Sequence, residues 1–158
     1  MTVPDELELY LNDHLAGAAA GVDLIRRISE QTEGSLDDLV ADIEADETFL
    51  EDLIKSLDLR EHSVKQAVSS VIEKLGQLKM NRVVSGNAKL ALLLEMEAMS
   101  MGIEGKRGLW QSLRIVAPSV PELAGLDLDT MVLRAEDQRD RLQKYREAVA
   151  LAALVPST

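Results

Sequence analysis

Apolar residues recur along nearly the whole chain at steps of three and four, the spacing that gathers side chains on one face of an α-helix. The first such stretch begins near Pro4, a good first-turn residue, and ends at Gly34, with Leu7, Leu11, Leu15, Ala18, Val22, Ile25 and Ile28 on one stripe. Ser35-Leu36-Asp37-Asp38 reads as a variant capping box opening a second stretch to about Asp58, which carries Leu36, Val40, Ile43, Leu50, Leu53 and Leu57. A third, over about 62–80, places Val64, Val68, Val71, Ile72, Leu75 and Leu78 together before Ser85-Gly86-Asn87 breaks it. The fourth runs from about 88 to 116 and ends before Pro118 and Pro121, and the fifth spans about 128–154. No alternating pattern of strand type competes with these. The chain is expected to be all-α.

A length of 158 residues predicts one domain over 1–158, large enough to bury a core. No apolar run reaches the roughly 18–20 residues needed to span a bilayer. The opening MTVPDELELYL is acidic where a signal peptide would be basic, so a cytoplasmic protein is expected. With no cysteine there are no disulfides, thiolate metal sites or cysteine nucleophiles. Charge is uneven: residues 1–58 hold 16 acids against Arg26, Arg27 and Lys55, whereas residues 59–158 hold 12 acids and 14 bases. The overall charge of −11 argues against nucleic acid and against an anionic membrane surface. Four aromatic residues provide no base-stacking platform.

The connections order the helices. A tight turn makes the first and second stretches antiparallel neighbours, and a loop of about ten residues does the same for the fourth and fifth. Between the pairs, an amphipathic helix over about 62–80 would be about 27 Å long, enough to carry the chain back along the bundle. The second and fourth stretches would then run parallel, as in bundles with one long crossover. With this order, the runs Tyr10-Leu11-Asn12-Asp13-His14-Leu15-Ala16-Gly17 and Gly102-Ile103-Glu104-Gly105-Lys106, followed by Leu109-Trp110, resemble the ferritin-like four-helix-bundle superfamily, in particular a bacterial branch of it. The resemblance implies a four-helix bundle with the crossover helix between bundle helices two and three.

That superfamily commonly holds a di-iron carboxylate centre, with one Glu from each of two helices and a Glu-x-x-His from each of the others. This chain lacks the motif. Leu11 stands three residues before His14 and Leu59 three before His62, while Glu44-x-x-Glu47 and Glu136-x-x-Arg139 are the nearest substitutes. No metal cofactor is therefore expected. The alternative is iron or manganese on a carboxylate-rich set drawn from Glu44, Glu47, Glu95, Glu136 and His14. A calcium loop over Asp42–Leu53 fails for want of Gly at its sixth position and Glu at its twelfth. A phosphate loop at Gly105-Lys106 fails because Arg107 replaces the hydroxyl residue.

What remains is a polar layer. Helical spacing brings His14 to the edge of the first stripe, Asp46 or Glu47 into the second, Lys106 into the fourth and Gln138 or Arg139 into the fifth. Buried charges are costly unless paired, so these groups are expected to meet as an ion-pair cluster, either structural or the remnant of a ligand pocket. Gly17 and Gly21, with Gly102 and Gly105, are expected to let two helix backbones approach closely. The methionines, including Met96, Met99 and Met101, are expected to fill gaps in the core, the alternative being a hydrophobic ligand channel lined by them, and Trp110 is expected to anchor the core with its indole N–H bonded. The functional expectation is a non-catalytic bundle with a structural or association role, as a homodimer or with a protein partner. The alternative is a metal-binding or oxidoreductase protein on the carboxylate set.

Overall fold

The computed structural model describes residues 3–60 and 86–155. The expected crossover helix over 62–80 lies outside them. Among the described residues there is no strand, and four long helices carry the fold: α1 (Asp5–Gln31), α2 (Asp37–Ser56), α3 (Ala88–Val116) and α4 (Leu128–Leu154). None of the described helices is long and apolar enough to cross a membrane.

Local chemistry sets the helix ends. Asn87 accepts from the Leu90 N–H at 3.1 Å and starts α3, and Asp127 accepts from the Thr130 N–H at 3.1 Å and starts α4. α1 closes when the Gly34 N–H donates to the Ser29 carbonyl at 2.9 Å, with Gly34 at φ +78°. A side chain there would be strained by that φ and pressed against Asp37 Oδ2 at 3.0 Å, so the turn requires glycine. The capping box expected at Ser35 does not form. Leu36 occupies the N-cap with no side-chain bond, and Asp37 instead accepts from Ser29 Oγ at 2.7 Å, tying the two helices across the turn. Two 3-10 turns, Ala117–Ser119 and Pro121–Leu123, lead from α3 towards α4, each with proline in its first turn.

Cross-helix bonds give the directions. Tyr10 donates to Ser112 Oγ at 3.1 Å at one end of α1, and Gln31 donates to Glu95 at 2.6 Å at the other, so α1 and α3 are antiparallel. Arg114–Asp129 at 2.7 Å and Arg146–Glu97 at 3.4 Å make α3 and α4 antiparallel. Ser29 on Asp37 at 2.7 Å and Arg26 on Glu44 at 2.6 Å do the same for α1 and α2. α2 and α3 therefore run in the same direction.

Two apolar clusters fill the interior. One gathers Leu11, Leu15, Leu50, Leu53, Leu109, Trp110, Leu113 and Val132. The other gathers Ile25, Ile28, Leu39, Ile43, Met96, Met99, Ile103 and Leu142. On α2 the change from one cluster to the other falls at Asp46, and on α3 at Lys106.

Candidate functional site

Steps of three and four place Asp46 between Ile43 and Leu50, Lys106 between Ile103 and Leu109, and Gln138 between Ala135 and Leu142. Each polar group is thus carried inward by its apolar neighbours. They meet. Lys106 Nζ donates to Asp46 Oδ2 at 2.6 Å and to Gln138 Oε1 at 2.5 Å, and Gln138 Nε2 donates to the same Asp46 oxygen at 2.8 Å. Arg134 Nη2 donates to Asp46 Oδ1 at 2.9 Å. Asp46 is 3% exposed, so its charge is balanced by two cations and an amide rather than by water. Burial holds the Lys106 ammonium below its ordinary pKa range, with Asp46 acting in the opposite direction.

Of the residues expected in this layer, Asp46, Lys106 and Gln138 come together, and His14, Glu47 and Arg139 do not. Arg139 lies one position round the helix from Gln138 and pairs with Glu104 at 2.9 Å on the surface. Arg107 also binds Glu104, at 2.7 Å, and that bond is the main reason Glu104 is held below the usual carboxylate range. The second cation on Asp46 is Arg134, which the sequence reading missed. Its signal was present, since Arg134 and Gln138 are one helical turn apart on the same face.

The carboxylates considered for a metal are dispersed. Glu44 pairs with Arg26, Glu95 accepts from Gln31, and Glu136 lies 3.4 Å from Arg107. Among the described residues, no group of three or more His, Asp or Glu side chains could hold a metal ion. With two cations on the mid-bundle carboxylate, this donor set does not fit a pair of iron ions.

His14 and Glu47 instead line a groove of about 460 Å³ between α1 and α3, whose floor is supplied partly by α2. His14 packs against the edge of Tyr10, with ring centroids 4.6 Å apart. Burial lowers its pKa, against the pull of Asp13, which favours the neutral imidazole. Glu47 is pushed up, first by burial and then by the neighbouring charge of Glu51.

The four glycines correct a second expectation, because they do not mark close helix contact. Among the described residues, a Cβ at Gly17, Gly102 or Gly105 would meet nothing within 4 Å, and one at Gly21 would make only an ordinary contact with Met99 at 3.7 Å. All four line the groove. A helix-interior glycine costs about 1 kcal/mol relative to alanine, and here no packing among the described residues offsets it. Gly17→Ala, Gly102→Ala and Gly105→Ala are each expected to raise stability by about 0.5–1 kcal/mol in thermal or urea unfolding. A loss in all three would restore the close-packing explanation. Met101, 70% exposed, likewise lies on the groove rather than in the core, whereas Met96 and Met99 are buried as expected.

Trp110 is 1% exposed and lies edge-on to Phe49, with ring centroids 5.5 Å apart. It anchors its cluster, but among the described residues its buried indole N–H has no acceptor, contrary to expectation. Comparison of the chain with protein-family models, curated proteins and solved structures finds no match.

Proposed function

We propose that the chain is a non-catalytic, ferritin-like helical bundle with an association role, whose centre is held by ion pairs in place of a di-iron site. The observation that carries this reading is the Asp46 layer. At the level where a ferritin-like protein gathers carboxylates around metal, the buried Asp46 carboxylate is enclosed by Lys106, Arg134 and Gln138. The up-down-down-up course of α1 to α4 supports the ferritin-like part of the reading. Its association part is supported by the end of α4, where Leu151 and Leu154 are 66% and 64% exposed and Val155 is 55% exposed.

Elemental analysis of protein purified without chelator tests the first part. The expected result is iron and manganese far below one ion per chain. Stoichiometric metal that is lost in Glu47→Gln or Glu136→Gln would overturn it in favour of the carboxylate-site alternative. Sedimentation equilibrium tests the second. A concentration-dependent dimer that Leu151→Glu with Leu154→Glu dissociates is expected, and a monomer at all concentrations would remove self-association.

A further inference from the structure

We draw no further inference here: the strongest candidate, the apolar groove of about 460 Å³ between α1 and α3, carries none, because nothing among the described residues shows what covers it.

Discussion

Asp46→Ala is expected to lower the free energy of unfolding by about 3–5 kcal/mol, a large fraction of what a domain of this size possesses. The loss does not measure the strength of the pairing. It is the penalty of leaving the Lys106 ammonium, whose side chain is 15% exposed, with only Gln138 for company. Arg134, 40% exposed, can turn to water and should add little. Lys106→Met is the informative comparison. It leaves Asp46 still bonded to Arg134 and Gln138, so a smaller loss of about 1–3 kcal/mol is expected. Removing both charges, as Asp46→Leu with Lys106→Met, should recover part of the Asp46→Ala loss, because two matched apolar groups need no partners. Urea unfolding at neutral pH followed by circular dichroism provides all three values. A loss below about 1 kcal/mol for Asp46→Ala would mean that the layer behaves as a surface pair.

Trp110→Ala is expected to cost about 3–5 kcal/mol, since it removes the largest fully buried side chain and the edge contact with Phe49. Trp110→Phe should cost far less, within about 1.5 kcal/mol. Two effects oppose each other there. The smaller ring leaves unfilled volume, which destabilises, while loss of the indole N–H removes a buried donor that has no acceptor, which stabilises. The phenyl ring can keep its contact with Phe49. The same unfolding measurement serves, and a Trp110→Phe variant as unstable as Trp110→Ala would show that the N–H is satisfied in the folded chain.

The polar layer shows how far helical phase can be read. Ile43-x-x-Asp46 and Ala135-x-x-Gln138 each follow the apolar stripe, so the side chain that turns inward is the one in phase with it. Asp46-or-Glu47 and Gln138-or-Arg139 were undecided in the sequence because neighbouring positions differ by only about 100° around the helix axis. Packing resolves such a choice. Gln138 is 1% exposed and Arg139 lies on the surface with Glu104. Arg134 was missed because, although it stands one turn before Gln138 on the same face, a charged side chain that is 40% exposed reads as a solvated position until packing brings its guanidinium to Asp46.

By itself the sequence determined the four described helices, the pairing of their neighbours and the inward stripe of each. These follow from spacing along one chain, which needs no knowledge of neighbours. The glycines show where that information stops. Four small residues at helical spacing are compatible with two helices pressed together or with two held apart, since a missing side chain permits either arrangement. Only the tertiary structure, by placing α1 and α3 so that Gly17, Gly102 and Gly105 touch nothing among the described residues, decided that they line a groove. The fate of the Trp110 indole was decided in the same way, because whether a donor finds an acceptor depends on atoms brought from other helices and not on the residue that carries it.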